Sequence, residues 1–482
     1  MSKLGDVATK AILKEMDQML SKEVFHPVLL GELSKKDRRS IVCCSMFLKE
    51  KYKADGSFDK VKARLVAGGH QQGRTVYEDK LSSPTGDYHH LLAISLVFMI
   101  GVIAAAERRE VLTLDNPGAY LHAKMPTDCA VYMRLNKYLS NIMIQLNNHY
   151  AKYLNDDGTI VVKLDKALYG CVQSSKLWYD RLCEVLYEMG YTVNAEDKCV
   201  FNRMASSNQI TICVHVNELL MTCIDQKVMS SEIEKLEEIF GNLSVSSGKM
   251  QNYLGMVFDF TTEGTDMIEM KNNIEELLKY TETKTSAPTS AEVNLLDVND
   301  KNELLSDVER AKFHTVVAKL LYLAKRARPD LLLATSYLTT RVTRETEGEL
   351  EKLSRCLEYL NGSKDITLRL DGRDYDTVTV YVDASYGTHA DRKSHMGTGL
   401  TLGRAFICGY SRKQRINTKL SCEAELLEVS NGVNPAIGVL NFMTNQGYEA
   451  RPVTLMQDNK STIKMIVSSR GRVIRRGAGI SI

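Results

Sequence analysis

Apolar and polar positions change rhythm several times along the chain. In "GDVATKAILKEMDQML" apolar side chains recur three and four apart, which predicts one amphipathic helix. From Ile41 the texture turns to short strands and turns: "IVCCSMFLKE", the polar connection "KADGSFDK", then "VKARLVAGG". On that last strand Lys62 and Arg64 share a face, because strand side chains alternate. "LLAISLVFMIGVIAAA" is apolar on every side and is followed at once by "ERRE". It predicts a buried helix, being shorter than the roughly 18 apolar residues that mark a membrane span.

The next apolar run, "EVLTLDNPGAYLHAKM", reads as a strand, followed by a polar segment, the strand "IVVKLDKALYG" and the helix "SSKLWYDRLCEVLYEMG". "TICVHVNELLMTC" then places two apolar strands around the polar pair Asn217-Glu218, a hairpin pattern. An acidic amphipathic helix, the strand "MQNYLGMVFDF" and a polar, helix-poor stretch at 282–305 come next. Helical patterning occupies 306–362. Near residue 374 a new unit opens with "TVTVYVDASYG", "GTGLTLGRAFICGYS", a long helix from "CEAELLEVS", the strand "VTLMQD" and the helix "NKSTIKMIVSS". This order predicts mixed sheets flanked by helices. The expected division is 1–40, a helical segment; 41–281; 282–373, a linker and helical connection; and 374–482.

Composition fits a globular chain large enough for two to four cores: 482 residues, 44% hydrophobic and 25% charged. A net charge of +2 leaves a nucleic-acid partner open, since a basic groove can sit inside a neutral total. Eleven cysteines without CxxC spacing argue against structural zinc and suit a reducing compartment. "MSKLGDVATK" lacks the apolar core of a secretory signal, so the expectation is an intracellular protein, in cytoplasm or nucleus, without a membrane.

Two sets of carboxylates carry candidate chemistry. Asp115 ends an apolar strand, and Asn217-Glu218 tip a hairpin about a hundred residues later. Taken alone, Asp115 reads as a turn or cap residue and "VNEL" as a plain turn. Together they match the way polymerases gather carboxylates around two Mg²⁺ ions that activate a 3′-hydroxyl and stabilise the leaving pyrophosphate. The second set is Asp383, Glu423 and Asp458, each at a secondary-structure boundary of the C-terminal unit. Three converging carboxylates without a basic partner repel one another unless metal ions are shared, the arrangement a two-metal nuclease needs.

At this point a family resemblance appears. "KARLVAGG", "LDNPGAYLHA", "LDKALYGCVQSSKLWY", "VHVNELL", "NYLGM" and "VAKLLYLAKRARPD" are similar, in order and spacing, to a copia-type retrotransposon reverse transcriptase. "YVDASYG", "DRKSHMGTGLTLG", "SCEAELLEVS" and "QDNKSTIKMI" resemble the RNase H domain that follows it, so the likeness covers roughly residues 40–470. It implies an α+β fold: reverse-transcriptase fingers and palm, a helical connection, and an RNase H-like α/β domain incomplete at its C-terminus. It implies an RNA template, a DNA primer, an RNA–DNA hybrid and dNTPs as partners, and Mg²⁺ at both sites. Asp115 and Glu218 would be the metal ligands of the first site, and Asp383, Glu423 and Asp458 those of the second.

The resemblance also implies that Tyr120 screens the ribose 2′-position, that Lys62 and Arg64 face the triphosphate, and that Gly170 lets the backbone approach nucleotide and template. From the residues alone, Tyr120 reads equally as a core tyrosine, and Lys62 and Arg64 as a solvated strand face. Val172 and Ser175 depart from the motif's commoner Lys and Pro. Asn217-Glu218 stands where the family carries Asp-Asp: Asn brings no charge, and Glu is one methylene longer, so the polymerase is expected to be impaired. The tail "RGRVIRRGAGISI" is degenerate, with Ser481 near where an acidic or amide residue would fall, and the fold's last helix is absent, so nuclease activity is expected to suffer too. Neither a protease motif nor an integrase zinc module is present, which suggests only the end of a polyprotein. The alternative is a non-catalytic nucleic-acid-binding remnant whose basic stretches "KVKARLVAGGHQQGR", "AKRARPD" and "GRVIRRG" track phosphates.

Overall fold

The computed structural model describes residues 3–52, 58–72, 90–299, 302–449, 451–468 and 480–481. Helix α1 (Lys3–Ser21) turns Ile12, Met16 and Met19 onto one face, where they are buried against Ala63 and Leu65. Strand β1 (Phe25–Val28), the short helix α2 (Lys35–Arg39) and strands β2 (Val42–Tyr52) and β3 (Phe58–Ala67) follow. The buried helix expected from its apolar surface is α3 (His90–Ala106), succeeded by β4 (Glu110–Asp115), β5 (Tyr132–Leu135), α4 (Lys137–Leu146), β6 (Ile160–Leu164) and α5 (Ser174–Glu188). Five of these strands form one sheet in the order β1-β6-β5-β2-β3. The first forty residues are therefore no separate unit, because α1 and β1 share a core with β2 and β3. The apolar face of α1 has to be covered, and β3 covers it.

Strands β7 (Thr192–Val193), β8 (Val200–Ala205), β9 (Asn208–His215) and β10 (Glu218–Cys223), helix α6 (Gln226–Phe240) and β11 (Ser244–Ser246) build the second sheet around β4. Its order is β11-β4-β10-β9-β8-β7. Helices α5 and α6 cover one side, setting Trp178, Leu182, Leu236 and Phe240 against Leu112, Leu114 and Met221. The ends of α6 are fixed locally: the Asp225 side chain accepts the Lys227 N–H, and Gly241 leaves the helix at φ 77°.

The chain continues through β12 (Met250–Tyr253), β13 (Met256–Asp259), β14 (Thr265–Glu269) and α7 (Lys271–Thr281), then α8 (Asp307–Ala324), α9 (Leu332–Thr339) and α10 (Glu347–Gly362). Both α8 and α10 start with capping boxes, Ser306/Glu309 and Thr346/Glu349. Strand β15 (Leu368–Asp371) returns to pair with β14. The last unit comprises β16 (Val378–Ser385), β17 (His395–Leu402), β18 (Ala405–Lys413), α11 (Ser421–Asn445), β19 (Val453–Met456), α12 (Lys460–Ser468) and β20 (Ile480–Ser481). Its sheet runs β18-β17-β16-β19-β20, with β16–β19 and β19–β20 parallel. Helix α11 lies close on β16 because Gly432 has no side chain: a Cβ there would stand 2.7 Å from Val382 Cγ1. Helix α3 is buried in a core that also contains residues of α8, α9, β16 and α11. No helix among the described residues is long and apolar enough to cross a membrane.

Candidate active sites

Antiparallel pairing of β4 with β10 puts Asp115 directly opposite Glu218, and pairing of β10 with β9 puts Glu218 opposite His215. Val216 and Asn217 are thus the two residues of a tight hairpin. Val216 has φ 56°, a left-handed conformation that a β-branched residue adopts only under strain. The strained turn is held by the Trp178 indole, whose Nε1–H donates to the Val216 carbonyl at 2.6 Å. A second tie comes from the Asn116 N–H, which donates to the Asn217 carbonyl at 3.0 Å.

The side chains at the tip meet. Asn217 donates its amide Nδ2–H to Asp115 Oδ1, a short contact between half-buried groups. Glu218 is exposed, yet its carboxyl is pushed up, first by desolvation and then by the Asp115 carboxylate, against a backbone hydrogen bond from Leu254. Two carboxylates therefore converge, and the third group offers a donor where a cation would need an oxygen. Asp115 and Glu218 could share one divalent ion. A ligand from Asn217 would require its amide oxygen to replace the N–H that now points at Asp115.

Tyr120 does not lie on a strand, as the apolar run suggested. The strand stops at Asp115, Pro117 and left-handed Gly118 (φ 75°) follow, and Tyr120 sits in a 3-10 turn over Ala119–His122. Its hydroxyl is 3.1 Å from Ser175 Oγ, and its ring stacks at 4.8 Å, tilted, on Tyr169. The Arg64 guanidinium lies 4.6 Å over the other partner of that stack, Tyr169. Lys62 and Arg64 are exposed on β3 while Ala63 and Leu65 point inward, so the shared face is present. Gly170, at φ 89°, lets the 169–170 backbone close on the end of β3: the Ala67 N–H donates to the Tyr169 carbonyl at 2.8 Å, and a Cβ on Gly170 would come 2.1 Å from the Ala67 carbonyl oxygen. That close approach is internal to the chain.

In the C-terminal unit one expectation needs correction. The carboxylates that come together are Asp383, Glu425 and Asp458, with ligand oxygens all within 4.8 Å of one another. Glu423 is not among them; its carboxylate accepts the Lys419 N–H at 2.7 Å, at the start of α11. The reason is helical phase, since residues two apart face different directions. Glu425, 5% exposed, accepts from Gln457 Nε2 at 3.2 Å. Desolvation is the main cause that pushes its carboxyl up; Gln457 opposes this, and Asp383 and Asp458 add to it. One buried and two exposed carboxylates at this spacing, repelling one another, fit divalent cations with oxygen ligands. An open cleft of about 530 Å³ beside Asp383 and Asp458 is lined by Tyr381, Gly397, Gly399 and Tyr410.

The segment 469–479 lies outside the described residues, and with it the basic stretch "GRVIRRG"; Ser481, on β20, pairs in register with Thr454 on β19. Of the cations in "AKRARPD", Arg328 is fully buried and paired with Asp330 at 2.6 Å, and the Arg326 guanidinium lies 3.7 Å over the Tyr322 ring. These two are engaged within the protein rather than offered to phosphates.

A family model described as "Reverse transcriptase (RNA-dependent DNA polymerase)" matches residues 32–292. The chain is 27% identical over 426 residues to the retrovirus-related Pol polyprotein from transposon RE1 of Arabidopsis thaliana, covering 87% of this chain and 27% of that one. It is 25% identical over 488 residues to the transposon Ty1-JR2 Gag-Pol polyprotein of Saccharomyces cerevisiae, covering 97% and 26%. With the Pol polyprotein from transposon TNT 1-94 of Nicotiana tabacum the identity is 24% over 471 residues, covering 95% and 33%. The chain thus spans a quarter to a third of these relatives. Among solved structures, that of a foamy viral protease-reverse transcriptase in complex with double-stranded DNA aligns with a TM-score of 0.52 at 11% identity, over 95% of this chain and 64% of that one. At that identity the likeness concerns the fold alone.

Proposed function

The chain belongs to the reverse transcriptase (RNA-dependent DNA polymerase) family, and from that premise we propose a division of labour between its two acidic sites. The first, at Asp115, Asn217 and Glu218, is a polymerase site with weakened chemistry. The second, at Asp383, Glu425 and Asp458, is an RNase H-like site with its metal-binding trio assembled. The observation that carries the first half is the Asn217 amide donating to Asp115. An amide N–H occupies a carboxylate oxygen that synthesis needs for a cation.

Bound Mg²⁺ would supply, at the first site, activation of a primer 3′-hydroxyl and, at the second, activation of water against an RNA phosphodiester. The protein's own groups do the rest. Asp115 and Glu218 would anchor one ion, the Trp178–Val216 hydrogen bond fixes the turn that presents them, and the Tyr120–Tyr169 stack borders the nucleotide. At the second site Gln457 orients Glu425 between Asp383 and Asp458. RNA template, DNA primer, hybrid and dNTPs are the partners this reading requires. A binding-only remnant is the weaker alternative, since Arg326 and Arg328 are committed internally.

Primer extension on an RNA template tests the polymerase half. The unaltered chain should extend poorly with Mg²⁺, and Asn217→Asp with Glu218→Asp should raise extension by about a hundredfold or more, the scale set by misplacing a reacting group by an ångström. Equal extension by both proteins would overturn the reading.

A further inference from the structure

The two cations expected to meet a triphosphate do not stand alone. Glu15, on α1, donates nothing and accepts one hydrogen bond: its Oε1 takes the Leu65 N–H at 3.0 Å. Leu65 lies on β3, the last strand of its sheet, and it pairs with Met46 on β2 from the other side. The carboxylate therefore caps an edge-strand N–H, and the buried contacts of Ile12, Met16 and Met19 hold its helix there. Lys62 and Arg64 lie just before this point on the same strand. Desolvation pushes the Glu15 carboxyl up, opposed by the Leu65 hydrogen bond and then by the charges of Lys62 and Arg64. Arg64, the neighbour of Leu65 along β3, in turn lies over the Tyr169 ring, which meets Tyr120 and through it Ser175, the wall of the candidate nucleotide site.

We propose that Glu15 is a charge-setting positioning residue of the nucleotide pocket: it holds a fixed negative charge beside Lys62 and Arg64 and so lowers the affinity of that face for a nucleoside triphosphate. The inference rests on the reading of this pocket as a dNTP site. Its physical basis is that the hydrogen bond to Leu65 and the packing of α1 hold Glu15 at this strand. A phosphate chain would then compete with a resident carboxylate for the same two cations.

Glu15→Gln separates charge from structure, since the amide oxygen can still accept the Leu65 N–H. Titration of the full chain with dTTP and Mg²⁺ by calorimetry, at low and at high salt, reads the effect. Glu15→Gln should bind dTTP about three- to tenfold tighter at low salt, the gain shrinking as salt screens it, with an unchanged unfolding midpoint. Glu15→Asp should stay close to the original protein, and Arg64→Ala should bind more weakly. Binding that Arg64→Ala weakens but Glu15→Gln leaves unchanged or weakens overturns this inference and spares the pocket. Absence of dTTP binding in every variant overturns the pocket reading and the inference with it.

Discussion

Asp266 is 0% exposed, on β14 beneath α3, and neither carboxylate oxygen has a hydrogen-bond partner of normal geometry. Oδ2 faces Gly101 closely: a Cβ there would come within 2.6 Å of it. Burial pushes its carboxyl well above the ordinary value of 3.8, opposed by a backbone hydrogen bond at Asp259 and reinforced by the Asp259 charge. The folded protein therefore keeps the extra proton over a range of pH in which the unfolded chain has lost it. Stability must then fall as pH rises above 3.8. Each pH unit over which the folded group keeps its proton while the unfolded one has lost it costs about 1.4 kcal/mol. Asp266→Asn is close in shape and has no proton to lose. Its own cost, an imperfectly paired buried amide, is the same at every pH. Urea unfolding followed by far-UV circular dichroism, from about pH 4.5 to pH 7.5, should show the variant gaining on the original protein as pH rises, at up to about 1.4 kcal/mol per unit. Two parallel curves, with the difference constant across that range, would refute the reasoning.

Three further outcomes follow from the same geometry. His395, 8% exposed, shares a hydrogen bond of 3.0 Å with His389 and one of 2.6 Å with Ser411, and burial together with His389 pushes it from 6.5 down to about 4. It is neutral when folded, so stability present above its ordinary pKa should be lost as pH falls from about 6.5 toward 4, by about 3 kcal/mol, and His395→Gln should flatten that slope in the same unfolding assay. Gly170→Ala should cost about 3 kcal/mol or more in thermal unfolding, because φ 89° and the Ala67 carbonyl both oppose a Cβ; a loss under ~1 kcal/mol would contradict the tight approach. RNA cleavage in a labelled hybrid should vanish with Glu425→Gln and survive Glu423→Gln, and the reverse result would restore the residue that spacing alone suggested.

That last pair shows how much of the site was legible in the chain. The two strands around the hairpin and the αβ order after residue 374 follow from apolar alternation, and the structure has them. The turn itself is Val216-Asn217, one residue earlier than the polar pair suggests, with Glu218 opening β10. The pairing with the strand that ends in Asp115 followed only from the family resemblance. "SCEAE" offers two glutamates at a helix start, and only the phase of the helix distinguishes them. Val429, Gly432, Ala436 and Val439 mark the buried face at steps of three and four, and stepping back four from Val429 reaches Glu425, not Glu423. Tyr120 was misplaced because an apolar run was continued through Pro117 and Gly118, which end the strand. The role of Glu15 was out of reach of local pattern, because its partners Leu65, Lys62 and Arg64 lie about fifty residues away and meet it only through tertiary packing. Asp266 was illegible for a similar cause: nothing in "TDMIEM" tells which face of that strand is sealed by α3.

Counting bound metal most directly tests the contrast between the two acidic sites. Mn²⁺ titration of the full chain, with free ion read by electron paramagnetic resonance, should show tight sites that disappear in Glu425→Gln and persist in Glu218→Gln. Restoring Asn217→Asp with Glu218→Asp should add further tight binding. If instead Glu425→Gln leaves Mn²⁺ binding intact, and the restored hairpin binds no more than the original, the assignment of metal chemistry to these residues is wrong.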